Sequence, residues 1–257
     1  MKKYELIKQE SGFFRIKALK DFRNIKKGEL GGLIQKESNL SQYDDAWIYS
    51  GACVYGNAEV YGNAHVHGNA KVYGSAKVYG SADVYGNANV YGDAKVCGYA
   101  EVYGNSKVCG DAKVYNNAKV CGDAKVCGDV LIFDEAKVYG NARVHGNARI
   151  YGDAEVYGNG EVYGNAKVYG DAEVYDSVLI FGKIHERFTK ISSILCEERV
   201  ITIYQDLNGY LKCNIGCQEG MTLEDLLKRI KEDGGMKQHR KQYVNIMKNA
   251  KSILNIE

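Results

Sequence analysis

The amino-acid sequence predicts a mainly β protein whose central part is a parallel β-helix. Three observations predict this fold: a six-residue repeat, an aliphatic residue at every sixth position, and glycine recurring where the chain must turn. The aliphatic position falls at 23 consecutive sites from Ile48 to Ile180, and no insertion or deletion interrupts them. Such regularity indicates a solenoid, in which each unit buries its apolar face against its neighbours.

The unit Val-Tyr-Gly-Asn-Ala-x gives each slot a structural role. In the stretch Ala-x-Val-Tyr, strand geometry turns Ala and Val towards one face and x and Tyr towards the other. Gly and Asn accept positive φ more readily than other residues, so Gly-Asn is predicted to turn the corner. Three sides close a triangular coil of 18 residues, so residues 18 apart lie on the same face of adjacent coils. We therefore expect Ala and Val inside, and the Tyr and x slots outside.

Composition narrows the classes of protein. The formal net charge is only +2, so we expect no nucleic-acid partner. No apolar run of about 20 residues exists, so we expect no membrane span. The first residues lack the apolar region of a secretory signal, which favours a cytoplasmic protein with its eight cysteines reduced.

The segments on either side of the solenoid, which we place at 48–181, predict two further domains. Residues 1–47 read as a β cap, with a strand over residues 13–19 and a turn at Gly31-Gly32 before the first coil. A cap at the exposed edge of a solenoid prevents end-to-end stacking.

Residues 182–257 predict a small α+β domain. Residues 206–209 (DLNG) lie between two apolar runs and predict a hairpin. Thr222 is a good N-cap for a helix, and a second helix is predicted from about Gln238 to Leu254.

The repeat resembles that of the hexapeptide-repeat proteins, although Tyr takes their usual Gly slot and Gly moves one place later. This resemblance implies a left-handed parallel β-helix, with a homotrimer as the common assembly. A narrower resemblance, over roughly residues 4–180, is to the YdcK-type proteins of bacteria, phages and prophages, sometimes labelled transferases. It rests on the coils and on the runs 18–22 (ALKDF), 28–32 (GELGG), 39–42 (NLSQ) and 46–49 (AWIY). The run 213–217 (CNIGC), with the helix start after it, is similar to a terminal module of phage-borne repeat proteins.

Two constellations suggest catalysis or metal binding, and neither is favoured. Cys109, Cys127 and His145 fall in one row of the Tyr slot, but zinc ligands converge on a point and a straight ladder does not. Hexapeptide-type acyltransferases use a histidine near a loop that leaves the coil. His65, His67 and His145 instead occupy regular repeat slots, so we lean against an enzyme and expect no cofactor and no metal.

Two faces carry a basic row beside a row of Tyr or Cys, which suggests a surface for a phosphate-bearing ligand. One basic row includes Lys77, Lys95, Lys113 and Arg149, and the second includes Lys71, Lys107, Lys125 and Arg143. The alternative is that the cations only keep an exposed sheet soluble and separate. The candidate ligand-binding residues are Lys77, Lys95, Lys113, Arg149, Tyr79 and Tyr115.

Two fully apolar units depart from the repeat. They place Leu131 with Phe133, and Leu179 with Phe181, in the outward slots. Exposed apolar pairs of this kind mark covered surfaces, so we predict that they form an interface with another subunit or with the C-terminal domain.

Together these patterns predict a non-enzymatic binding or scaffold protein of phage or prophage type. It would sequester an anionic ligand or cover a host defence protein. A homo-oligomer is expected, with a trimer favoured by the resemblance. Two alternatives stay open, namely an acyltransferase-like enzyme and a purely structural assembly protein.

Overall fold

The computed structural model describes residues 2–170, 172–174, 179–181, 188–196, 199–206, 210–215, 218–222, 224–226 and 228. Within these residues the regular secondary structure consists of short β-strands, one 3-10 helix at Glu37–Asn39 and helical residues at 224–226 and 228, and turns connect the strands of the coils. The strands in chain order are β1 (Tyr4–Lys8), β2 (Phe14–Ala18), β3 (Leu30–Ile34), β4 (Trp47–Ile48), β5 (Cys53–Val54), β6 (Glu59–Val60), β7 (His65–Val66), β8 (Lys71–Val72), β9 (Lys77–Val78), β10 (Asp83–Val84), β11 (Asn89–Val90), β12 (Lys95–Val96), β13 (Glu101–Val102), β14 (Lys107–Cys109), β15 (Lys113–Val114), β16 (Lys119–Val120), β17 (Lys125–Gly128), β18 (Leu131–Ile132), β19 (Lys137–Val138), β20 (Arg143–Gly146), β21 (Arg149–Ile150), β22 (Glu155–Val156), β23 (Glu161–Tyr163), β24 (Lys167–Val168), β25 (Glu173–Val174), β26 (Leu179–Phe181), β27 (Phe188–Cys196), β28 (Arg199–Asp206), β29 (Leu211–Ile215) and β30 (Gln218–Met221).

The solenoid strands form three parallel sheets, one for each side of the coil. Sheet I contains β5, β8, β11, β14, β17, β20, β23 and β26. Sheet II contains β6, β9, β12, β15, β18, β21 and β24. Sheet III contains β4, β7, β10, β13, β16, β19, β22 and β25. Each strand from β4 to β23 pairs in register with the strand 18 residues later, as Val96 does with Val114. The chain thus winds through about eight coils of about 18 residues, and the predicted mainly β solenoid is confirmed.

The interior is filled by the two small apolar slots of the repeat. Val96, Ala94 and their equivalents in the described coils are fully buried. Full burial of one valine side chain stabilises a fold by about 1.5–3 kcal/mol, and this term recurs three times per coil. Ser106 replaces alanine inside, and its hydroxyl donates a hydrogen bond to the Val120 carbonyl at 3.3 Å.

The corners depend on glycine, as predicted. Gly86 has φ +70°, and a Cβ there would lie 2.9 Å from the backbone nitrogen of Gly104 in the next coil. Both the backbone conformation and the close approach therefore require glycine. Asparagines beside the corners form a ladder, in which Asn87 donates to Asn105 at 2.9 Å and Asn105 donates to Asp123 at 3.0 Å.

The first strands extend sheet I beyond the coils. β1, β2 and β3 pair antiparallel in that order, and β3 then pairs in parallel with β5. The prediction of a turn at Gly31-Gly32 is wrong, because both glycines lie within β3. They are needed for packing: a Cβ on Gly31 would lie 2.5 Å from Ile16 Cγ1, and one on Gly32 would lie 2.5 Å from Ile48 Cγ2.

The described part of the C-terminal segment is an antiparallel sheet in the order β27-β28-β29-β30. The two strands of the predicted hairpin pair antiparallel as β28 and β29, while residues 207–209 of its turn lie outside the described residues. Thr222 caps a helical turn as predicted: its hydroxyl donates to Asp225 Oδ2 at 2.7 Å and accepts from the Asp225 backbone N–H at 3.2 Å. The second predicted helix lies outside the described residues.

Candidate functional site

Sheet II brings the predicted ligand-binding residues onto one outer face. The register pairs Lys95 with Lys77 on one side and with Lys113 on the other. The same row, which we call the lysine row, continues through Leu131 to Arg149. Tyr79 and Tyr115 lie in the adjacent outward row, two residues along the same strands. Counting along the sequence in steps of 18 residues therefore correctly placed all six residues on one face.

The lysine row keeps unpaired charges. Lys77 forms an ion pair with Glu59 at 3.0 Å. Among the described residues, neither Lys95 nor Lys113 has a carboxylate within 4.0 Å. The equivalent cation Lys119 of sheet III is paired, because Glu101 lies 2.9 Å from its ammonium group. Sheet II is therefore a face with cations free to meet a ligand.

An open groove of about 440 Å³ runs beside the lysine row, within the size range of small-molecule sites. Three aspartates from successive corners form its other wall, so the groove is lined by both signs of charge. Sequence reasoning missed this acidic row, because the position after glycine was read only as a turn residue. Reading that position in steps of 18 residues reveals it. The lining residues are Ser75, Lys77, Asp93, Lys95, Asp111, Lys113 and Asp129.

The outward aromatic residues stack on one another along the solenoid. Tyr61 and Tyr79 have ring centroids 5.0 Å apart and an interplanar angle of 3°. Tyr115, Phe133 and Tyr151 continue the same row at 5.0 and 4.9 Å. Because neighbouring rings cover each other's faces, an intact ladder offers a ligand only ring edges and hydroxyl groups. The predicted stacking of a ligand therefore requires a break in the ladder.

Departures from the repeat gather at one corner, the corner that follows sheet II. Between residues 52 and 170, the glycine slot is replaced only by Asn116 and Asp134, with φ +58° and +60°. The next slot departs from Asn, Asp or Ser only at Tyr99 and Glu135 in the same stretch. All four fall at this corner in three successive coils. Tyr99 is 70% exposed, and sequence reasoning had not singled it out.

The three candidate catalytic histidines do not come together. The His65 Nε2 atom lies 3.2 Å from an Arg23 guanidinium nitrogen, and its Nδ1 lies 3.2 Å from Asp83 Oδ1. Both ring nitrogens are thus engaged by neighbours, an arrangement that joins the N-terminal segment to the first coils. His67 stacks on Tyr85 at 4.8 Å, and burial lowers the pKa of its imidazole.

His145 lies on sheet I, several coils away, next to a disulfide. Cys109 and Cys127 are bonded, which differs from the expectation of reduced thiols. The in-register pairing of β14 with β17 holds their Cα atoms 4.6 Å apart, within the range that a disulfide spans. Bonded sulfurs do not serve as thiolate ligands, which leaves His145 as the one free member of the candidate metal set. No group of three or more metal-ligating residues occurs in the part of the chain that the structure describes.

The apolar pair Leu131 and Phe133 lies on sheet II. Both side chains are only partly exposed, and Phe133 is stacked between Tyr115 and Tyr151. Leu179 and Phe181 lie in β26, but their side chains fall outside the described residues. The interface proposed for these four residues stays a prediction.

Fold and site together define a β-solenoid repeat protein whose sheet II carries a charged row and an aromatic row on its outer face. The sequence model of a family described as YdcK Beta solenoid repeat matches residues 52–68, which lie in the first coils. With the observed coils, this match supports a repeat of YdcK type. A search of curated proteins found no match. Over the residues that the structure describes, no helix is long and apolar enough to cross a membrane.

Proposed function

We propose that this solenoid is a non-catalytic binding protein of phage or prophage type that captures an anionic small ligand on sheet II. One observation carries the proposal: Lys95 and Lys113 lie side by side, without carboxylate partners in the described structure, at the edge of a groove. Unpaired cations on neighbouring strands are suited to a phosphate, which accepts several charge-assisted hydrogen bonds. A host protein is the alternative occupant of the same face.

The rest of the fold supports binding over catalysis. The coils from residue 52 to 170 run without a loop that leaves the solenoid, and their interior is fully buried. The candidate histidines His65 and His67 are engaged by neighbouring side chains rather than directed towards the groove. A rigid outer face of this kind presents ligand contacts that are already in place, which reduces the ordering cost of binding.

Charge-removing variants test the proposal. The first variant neutralises three cations of sheet II, as Lys95→Gln, Lys113→Gln and Arg149→Gln. The control variant removes the same charge elsewhere, from cations that are paired with glutamates: Lys119→Gln, Lys137→Gln and Arg143→Gln.

Native mass spectrometry of gently purified protein provides the measurement. We expect wild type and the control to retain an additional small-molecule mass that the sheet II variant loses. The subunit number is read from the same spectra, and the resemblance predicts a trimer. A bare oligomer for wild type, or retention of the ligand by the sheet II variant, contradicts anion capture and favours a scaffold or a protein partner.

A further inference from the structure

The aromatic ladder of sheet II has one break, at Cys97. All the remaining residues of this row, from Tyr61 to Tyr169, are Tyr or Phe. The intact steps on either side have ring centroids 5.0 Å apart, between Tyr61 and Tyr79 and between Tyr115 and Phe133. Two such steps separate Tyr79 from Tyr115, so their centroids lie about 10 Å apart.

A flat ring fits this gap. A ring midway between Tyr79 and Tyr115 has a centroid distance of about 5 Å to each, the offset-stacked range preferred by aromatic pairs. In the described structure, Tyr79 contacts a ring only on the side of Tyr61, and Tyr115 only on the side of Phe133. Cys97 is partly exposed, so the gap opens to the surface. The repeat itself fills this position with an aromatic ring in most coils.

The surroundings of the gap are polar and charged on one side and aromatic on the other. Lys95 lies two residues before Cys97 on the same outer face, and Lys113 is its neighbour in the next coil. Asp93 and Asp111 line the groove beyond them. Tyr99, two residues after Cys97, stands exposed at the corner. The gap therefore has two lysines beside it on the same outer face.

A second gap, in the aromatic row of sheet III, differs from the Cys97 gap in the pairing of the cations beside it. Cys121 interrupts the row between Tyr103 and Tyr139, and the neighbouring cation Lys119 is paired with Glu101 at 2.9 Å. The Tyr139 hydroxyl donates to Glu155 at 2.8 Å, and that carboxylate also binds Lys137. Among the residues that the structure describes, the cations beside the sheet III gap are therefore both paired with glutamates.

We propose that the Cys97 gap binds the flat ring of a nucleotide-like ligand, with Lys95 and Lys113 binding its phosphate. This inference rests on the proposed function and deepens it, because it names the chemical class of the anion. Stacking on two tyrosine rings recognises any flat aromatic ring, and the aspartates of the groove accept hydrogen bonds from amino or hydroxyl groups.

The test fills each gap with the ring that the repeat favours. Cys97→Tyr completes the sheet II ladder, and Cys121→Tyr completes that of sheet III as the matched control. Tyrosine occupies 14 of the 22 equivalent positions from 55 to 181, so both variants are expected to fold, which circular dichroism checks. Binding of AMP, GMP, CMP and UMP is measured by calorimetry, with adenosine and ribose phosphate as probes of the separate parts.

We expect wild type and Cys121→Tyr to bind at least one of the four nucleotides equally well. Cys97→Tyr should bind it at least about fivefold more weakly, which is the lower end of the contribution of one base–aromatic stack. Adenosine and ribose phosphate should each bind more weakly than AMP. Absence of nucleotide binding by wild type, or equal binding by Cys97→Tyr, overturns the inference.

The two proposals fail in different ways. If ribose phosphate binds as tightly as AMP and Cys97→Tyr has no effect, the ring site is wrong while anion capture stands. If Cys97→Tyr abolishes nucleotide binding but the sheet II charge variant retains it, anion capture is wrong while ring binding stands.

Discussion

The disulfide between Cys109 and Cys127 joins two adjacent coils, and its removal should loosen them. The two cysteines are 18 residues apart, so the bond closes one coil. In the chain-entropy account, closing a loop of this length stabilises the folded state by about 3 kcal/mol, because the unfolded coil has fewer conformations. A local loss of that size corresponds to roughly hundredfold faster hydrogen exchange when the coils open.

Hydrogen exchange with mass spectrometry measures this loss locally, which suits a solenoid whose coils need not unfold together. Strands β14 and β17 are compared with and without a reductant. We expect reduction, or the double variant Cys109→Ala with Cys127→Ala, to accelerate their exchange. The control Cys97→Ala with Cys121→Ala removes two free thiols and keeps the bond, so it should respond to reductant as wild type does.

Counting thiols by alkylation before and after reduction shows whether the bond is present. A gain of two thiols without any change in exchange would refute the loop-closure reasoning. If the unreduced protein already reacts at both Cys109 and Cys127, the disulfide itself is absent in solution and the original expectation of reduced thiols is correct.

Three further predictions concern the repeat. Gly86→Ala should destabilise the solenoid by about 2–4 kcal/mol in urea unfolding, because Gly86 has φ +70° and an added Cβ would lie 2.9 Å from the next coil. The control Gly12→Ala, where φ is +82° and nothing lies within 4 Å of an added Cβ, should cost only about 1–2 kcal/mol. Equal losses of stability contradict the argument from the close contact. Hydrogen bonds with cysteine thiols raise the pKa of Tyr79 and Tyr103 from 10.0 to about 12. The stability that these two neutral tyrosines contribute to the fold is therefore complete below pH 10 and is lost as the pH rises through 12. Circular dichroism and tyrosinate absorbance should change together in that window, and constant stability across it contradicts the prediction. Ser106→Ala restores the repeat and should shift the unfolding free energy by less than about 1.5 kcal/mol. A larger loss would mean that the hydrogen bond to the Val120 carbonyl contributes more than its 3.3 Å length suggests.

The solenoid was predictable because its cause is local. Alternation along a strand decides that Ala94 and Val96 point inwards, and glycine decides where each side ends. A strict period then repeats that geometry, so the pairing of Lys95 with Lys113 follows from counting. The six candidate ligand-binding residues were brought onto one face for this reason.

Other features were not predicted from the residue type at each position of the repeat. Gly31-Gly32 read as a turn, because nothing local shows that Ile16 and Ile48 pack against these glycines within a strand. The ion pairs that neutralise Lys119 but leave Lys95 free depend on which carboxylates meet in space. The acidic wall of the groove was also missed, although rows of corner residues could have revealed it.

By itself, the sequence determined the period, the inward and outward slots and the sheet on which each residue lies, because these depend on backbone geometry that each residue imposes on its own segment. Only the tertiary structure decided which outward side chains are already used by neighbours. On sheet II the aromatic rings cover one another's faces except at the Cys97 break, and on sheet I Cys109 is bonded to Cys127. Contacts between coils set these outcomes, since they depend on distances between side chains that no single repeat unit contains.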